Sequence, residues 1–474
     1  MGIEVSQDHF SKNDFSKFQQ KLNLETDYLL ERLSLNQFSN HPPVAGFELE
    51  ACLVDSALQP TPINTPFLER VDHAMFTSEL AKFNIEINTT PQALSGQAFQ
   101  QFEDEIQHLI IDAQRAAKAL EAQILFTGIL PTLAPEHFCI ENMSEMKRYH
   151  ALNEQILRSR QGKPLHFDLQ GHEALHMQNN SVMLESAATS MQLHLQAPIE
   201  DAHHYYNASI LASAAVTAVS CNSPYLFGNE LWHETRIPIF EQSVHLGNSG
   251  QNGNTSQRVS FGSGYINNIA ECFIENRDDY PVILPMLQDK PVEKFAHLNL
   301  HNGTIWRWNR PIVGFDSDGT PHIRIEHRVM PAGPTTVDMI ANAAFFYGLT
   351  QYFATYLQQH EMPIPFQQAK DNFYTAARHG LSAKIQWDNQ TVSVQELLLA
   401  DFIPYAKQGL QQLQIDQDAI DHYLSIIQAR VKSGQTGAAW QMNHVRQHGC
   451  SMQQLTQDYF QLQKTGNPVH TWPN

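Results

Sequence analysis

Four short segments of this chain alternate polar and apolar side chains, and that period of two limits what they can become. On a strand, successive side chains point to opposite faces, so each segment sorts its chemistry onto one face. In Gly46-Phe47-Glu48-Leu49-Glu50 the carboxylates share one face and Phe47 and Leu49 the other. In Asn84-Ile85-Glu86-Ile87-Asn88, Glu86 falls with the two asparagines. Gln192, His194 and Gln196 oppose Met191, Leu193 and Leu195, and Arg324, Glu326 and Arg328 oppose Ile323 and Ile325. Any one of these taken singly is an ordinary strand with its polar side outward. Four together, carrying carboxylate, amide, imidazole and guanidinium groups, point to a functional face.

If Glu48, Glu50, Glu86 and Glu326 converge, they repel one another unless divalent cations sit between them. Glutamate oxygens suit Mg²⁺ or Mn²⁺, whereas zinc favours more His or Cys. An arginine beside such carboxylates is what phosphoryl transfer needs, because charge on the transferring oxygens must be neutralised in the transition state. Arg328, two residues from Glu326 on the same face, meets that need. Arg310 falls on the partner strand of a hairpin turned by Asp316-Ser317-Asp318-Gly319. That stretch lacks the terminal Glu of a calcium loop and reads as a turn. Trp306 and Trp308 read as hairpin or core packing, in preference to stacking on a nucleobase.

The chain has 474 residues, length for two or three domain-sized units. Its formal charge of -19, from 30 basic and 49 acidic residues, argues against a nucleic-acid partner. Small molecules, amino acids and ATP among them, are the expected partners, with a homo-oligomer possible. ATP is itself anionic, so a nucleotide site here needs local arginines or metal ions. The first residues carry no apolar signal-peptide region, and Asn207 to Cys221 is too short to span a bilayer. Met1-Gly2 with Ser6 fits the bare myristoylation pattern, but no polybasic stretch supplies a second membrane signal. Five unclustered cysteines fit reduced thiols, so the expected compartment is the cytoplasm, with no membrane partner.

Residues 10 to 38 carry apolar residues at mixed helical spacing and predict one or two leading helices, set apart as a segment 1–40. Residues 41–350 alternate strand-like segments with long amphipathic runs such as Gln97 to Ala122 and Ile199 to Cys221, as in a catalytic α/β body. Beyond Thr335 the pattern offers only helices, with runs at Val337 to Leu357, Val394 to Leu410, Asp416 to Lys432 and Met452 to Thr465. Residues 351–474 are therefore expected to form a helical C-terminal subdomain.

Gly-Phe-Glu-Leu-Glu at 46 to 50, Gln-Leu-His at 192 to 194, Arg258-Val259-Ser260 with Gly264-Tyr265, and Ile325-Glu326-His327-Arg328 resemble, in that order, motifs of glutamate-cysteine ligases and related carboxylate-amine ligases. Met146-Lys147-Arg148-Tyr149 and Asn222-Ser223-Pro224 add to the match, which runs from about residue 44 to about residue 350. The resemblance implies an α+β fold similar to the catalytic domain of glutamine synthetase, an antiparallel sheet whose concave face binds ATP and Mg²⁺. It implies that Glu48, Glu50, Glu86, Gln192 and Glu326 are metal ligands, although many relatives have His at the position of Gln192. It further implies that Arg328 clamps the γ-phosphate with Arg310 beside it. Arg148, Arg236 and Arg258 would lie near the substrate or its phosphate, and His194 and Arg324 near ATP. The implied reaction is that of glutathione biosynthesis: ATP converts a glutamate-type carboxylate to an acyl phosphate, which an amino-acid amine attacks. No general base for the amine stands out.

Two other chemistries compete. His172-Glu173-Ala174-Leu175-His176 satisfies the pattern of zinc metalloproteases, which needs both imidazoles on one helical face. Gly171 before it and Gln178-Asn179-Asn180-Ser181 after it frame no long helix, so a loop or short helix is expected there. A guanidino kinase would use a related sheet to move phosphate to a guanidine. A non-catalytic ATP-binding protein would also carry these groups.

Overall fold

The computed structural model describes residues 5, 9–247 and 257–473, so Met1, Gly2 and Ser6 of the myristoylation pattern lie outside the described residues. The four alternating segments are strands of a single antiparallel sheet. In chain order its main strands are β1 (Val44–Val54), β2 (Phe76–Ser78), β3 (Asn84–Asn88), β4 (Ser190–Ala197), β5 (Asn309–Phe315) and β6 (Pro321–Pro331). Across the sheet they run β5-β6-β4-β1-β3-β2, and the short strands Gln92–Ala93 and Gln123–Leu125 also pair with β1.

Phe47, Leu49, Ile85, Ile87, Leu193, Leu195, Ile323 and Ile325 are all 2% exposed or less, which puts the apolar face of every strand in the core. Two helices, Ala202–Ser220 and Thr336–Leu357, pack against that face. Both are apolar nearly all round, as a helix must be when its whole circumference is covered. Tyr347 from the second helix donates to the carbonyl of His194, at 3.0 Å. The polar face of the sheet is thereby left for the cavity.

The leading residues form one helix, Lys12–Ser34, with Ser11 and Asp14 making a reciprocal cap. Beyond Thr335 the chain is mainly helical, with two departures. Lys384–Trp387 and Gln390–Ser393 form a hairpin, turned by Asp388 and Asn389 at φ 48° and 59°. Two left-handed residues in a row are what a two-residue hairpin turn requires, and Asp-Asn tolerates them. The run from Val394 to Leu410 is interrupted by a wider π turn at Leu398–Phe402. The C-terminal residues share the core of the sheet body: Tyr423 packs on Phe99, and Tyr459 donates to the carbonyl of Phe126. Among the described residues no helix is long and apolar enough to cross a membrane.

Candidate active site

Strand register brings the sequence-marked groups together. Glu48 lies opposite Gln192, Glu50 opposite Glu86, Glu326 opposite His194 and Arg310 opposite Glu326. Directly paired residues on neighbouring strands are close enough to interact. A cavity of about 290 Å³ opens over this face. Glu48, Glu50, Glu86, Gln192, Arg310, Arg324, Glu326, Arg328 and Arg148 all line it.

Glu326 is the most strongly held carboxylate. Arg310 donates to both of its oxygens, Nε at 2.9 Å and Nη2 at 2.8 Å, and Arg328 Nη1 donates at 2.6 Å. Burial opposes its charge, yet Arg310 and Arg328 hold its carboxyl well below the usual carboxylate range. Arg328 also donates to Gln192 Oε1, at 2.9 Å. A register shift between His327 and Met330 marks a bulge around Arg328. Arg236 sits behind that bulge, donating to the carbonyl of Arg328 at 3.0 Å and to that of Val329 at 3.4 Å. Arg236 therefore braces the backbone that aims Arg328.

His194 joins the metal-capable groups. One ligand atom each from Glu48, His194 and Glu326 lies within 4.8 Å of the others. Its Nε2 is 3.1 Å from Glu48 Oε1, while Nδ1 accepts from Arg324 Nε at 3.2 Å. That bond leaves the ring proton on Nε2.

The other carboxylates sit in a different field. Ser190 gives Glu50 two hydrogen bonds, at 2.7 and 2.8 Å, yet burial still raises its carboxyl. Burial, then Glu48 and Glu79, push Glu86 up to about 8. Glu79 and Glu185 also line the cavity, and alternation along strands could not find them. Glu79 follows the short β2, and Glu185 stands on a turn, Val182–Ala187, ahead of β4. Burial and the charge of Glu50 push Glu79 to about 7 and Glu185 to about 8. The one sequence signal for Glu185 is a charge between Leu184 and buried Ser186, in an otherwise apolar turn.

Arg258 is not brought to the cavity lining. It is fully buried, bonded to the carbonyl of Pro281, with its guanidinium 5.9 Å from the Tyr280 ring centre. Burial lowers it to about 9. Trp308 is core and donates to Glu241 at 2.9 Å, whereas Trp306 faces the cavity. The His-Glu-x-x-His motif lies on neither a loop nor a short helix: it spans a hairpin, Leu165–Gln170 with Ala174–Asn179. His172 and His176 are 69% and 67% exposed and contact different carboxylates, Glu230 and Asp168. A strand cannot put residues four apart on a helical face, so the zinc-protease geometry is absent.

Two solved structures share this fold. Glutamate-cysteine ligase from Francisella tularensis, crystallised with AMP, superposes with a TM-score of 0.51 at 12% identity, covering 90% of each chain. A bifunctional glutathione synthetase from Pasteurella multocida gives 0.54 at 12% identity, over 93% of this chain and 54% of that one. Among curated proteins, no match was found. The antiparallel sheet and these neighbours define the fold. The model of glutamate-cysteine ligase family 2 matches residues 44–458, and the chain belongs to that family.

Proposed function

We propose that the chain joins a glutamate-type carboxylate to an amino-acid amine with hydrolysis of ATP, through an acyl phosphate. The observation that carries this is Glu326 between Arg310 and Arg328 on the cavity wall with Glu48, and His194 beside them on the same sheet face. A substrate carboxylate oxygen attacks the γ-phosphorus and ADP departs. The amine then attacks the acyl carbon, forming the C–N bond as the C–O bond to phosphate breaks. Arg328 and Arg310 neutralise charge on the transferring oxygens, and their bonds to Glu326 fix both guanidiniums in advance.

The residues fit a divalent cation, since Glu48, Glu326 and His194 converge and Glu50, Glu86 and Gln192 line the same face. Oxygen donors in this number suit Mg²⁺ or Mn²⁺. When bound, such ions neutralise and orient the phosphates. Leu284, Leu300, Ile312 and Val313, with the amide of Asn299, form an apolar part of the cavity that fits a nucleobase. The Francisella ligase was crystallised with AMP, which is in keeping with a nucleotide co-substrate. Arg148 lines the cavity, where it would meet a substrate carboxylate or phosphate, and Arg236 acts through Arg328. Glutamate and cysteine are the leading pair, which puts the reaction in glutathione biosynthesis in the cytoplasm.

A phosphate-release screen over pairs of amino acids and amines with Mg²⁺ tests the function. The expected result is release that needs both partners and is lost in folded Glu326→Gln and Arg328→Ala proteins. Full activity in those variants overturns the site, and silence with every pair overturns the function.

A further inference from the structure

Among the described residues, one carboxylate in the cavity has no protein partner for its side chain. Glu326 is held by two arginines, Glu50 by Ser190 and Gln192, and Glu86 by Thr77 and Asn88. Glu48 faces His194, and Glu79 accepts from the backbone of Leu80. Glu185 lines the same cavity, and among the described residues its carboxylate accepts no hydrogen bond and forms no ion pair. Glu185 is half-buried, and a carboxylate facing the cavity with no protein donor is open to a charged donor from a ligand.

Its position selects the kind of donor. Glu185 belongs to a turn and lies outside the Glu48, His194 and Glu326 group, the one set of three or more metal-capable residues found among the described residues. A divalent ion asks for several converging oxygens, whereas an ammonium group is served by one or two. Apolar side chains flank Glu185 in the cavity. Val182 lies on its own turn, and the backbone of Val182 is bonded to Asn153, next to Leu152. The helix Arg236–Ser243 packs on this turn and leads into Val244. Leu152, Val182 and Val244 all line the cavity.

We propose that Glu185 binds the ammonium group of the amine co-substrate, with Leu152, Val182 and Val244 receiving a compact apolar side chain. The substrate class is thus a primary amine, such as a neutral α-amino acid, with no charge on its side chain. This inference rests on the ligase function and assigns the amine end of the same cavity.

The test compares the full chain with Glu185→Gln and Glu185→Asp, using MgATP, L-glutamate and either L-cysteine or hydroxylamine. Hydroxylamine is largely uncharged at neutral pH and needs no ammonium site. Glu185→Gln is expected to raise KM for L-cysteine by about tenfold or more. KM for ATP and glutamate and the yield of hydroxamate stay near wild type, and Glu185→Asp recovers part of the loss. An unchanged KM for L-cysteine overturns the proposal. So does loss of hydroxamate formation in a folded Glu185→Gln protein, because Glu185 would then serve activation of the carboxylate. Absence of wild-type turnover with either nucleophile overturns the ligase function, and the proposal with it.

Discussion

The two ends of the cavity treat the same side chain in opposite ways. At the β5-β6 end, Glu326 is buried against two guanidiniums and kept charged. Toward β3 and β2, Glu79, Glu86 and Glu185 are crowded by one another and by Glu50, and burial pushes them to between about 7 and about 8. A glutamate clasped by two guanidiniums is preset to shape a site, whereas a glutamate pushed up by burial and like charge is left to answer a cation that arrives. On the proposed function, the arginine end receives anionic phosphate and the carboxylate end receives metal or amine.

The largest test removes the compensation. Arg328→Ala takes away a phosphate-neutralising charge, and its turnover is expected to fall by about 10³-fold, read as steady-state phosphate release. Glu326→Gln leaves Arg310 and Arg328 buried without their carboxylate. Breaking a buried pair in this way costs about 3–5 kcal/mol, which denaturant unfolding will register. Arg310→Lys replaces two parallel bonds to Glu326 with a point charge, and a loss of about 1–2 kcal/mol is expected from the same measurement.

The opposite end is tested by pH. Glu79, Glu86 and Glu185 have pKa values raised on folding from 4.5, so the native state keeps protons that the unfolded chain has lost. Their contribution is fully present below about pH 4.5 and is lost as pH rises through 7 to 8, so the metal-free protein is expected to lose stability over that window. Added Mg²⁺ should offset part of the loss and raise Tm more at pH 8 than at pH 6, because it binds deprotonated Glu86 with the neighbouring carboxylates. An equal rise at both values would count against carboxylate ligation. The smallest effect is expected at His172→Ala and His176→Ala, with stability within about 0.5 kcal/mol and activity unchanged, since both rings are exposed outside the cavity.

What the sequence made legible follows from where the site groups sit. Glu48, Glu86, His194 and Glu326 lie on regular strands, and a period of two with apolar partners identifies the face each one shares. Register could not be read, so the pairing of Glu326 with His194 and the metal-capable position of His194 came from the structure. Glu79 and Glu185 escaped because turns have no period to betray which side chain faces inward. The hairpin after Lys384 escaped because its strands are four residues each, within a helical stretch. Arg236 and Arg258 were equal in the sequence, and packing separated them: one braces Arg328, and the other is buried beside Tyr280.

The central claim is that the carboxylate is activated as an acyl phosphate on the arginine side of the cavity. Glutamate labelled with ¹⁸O in its side-chain carboxylate, turned over with ATP and L-cysteine, tests this directly. One labelled oxygen should appear in each phosphate released, because the oxygen that attacked phosphorus departs when the amine attacks carbon. Amide formation with unlabelled phosphate would contradict the account.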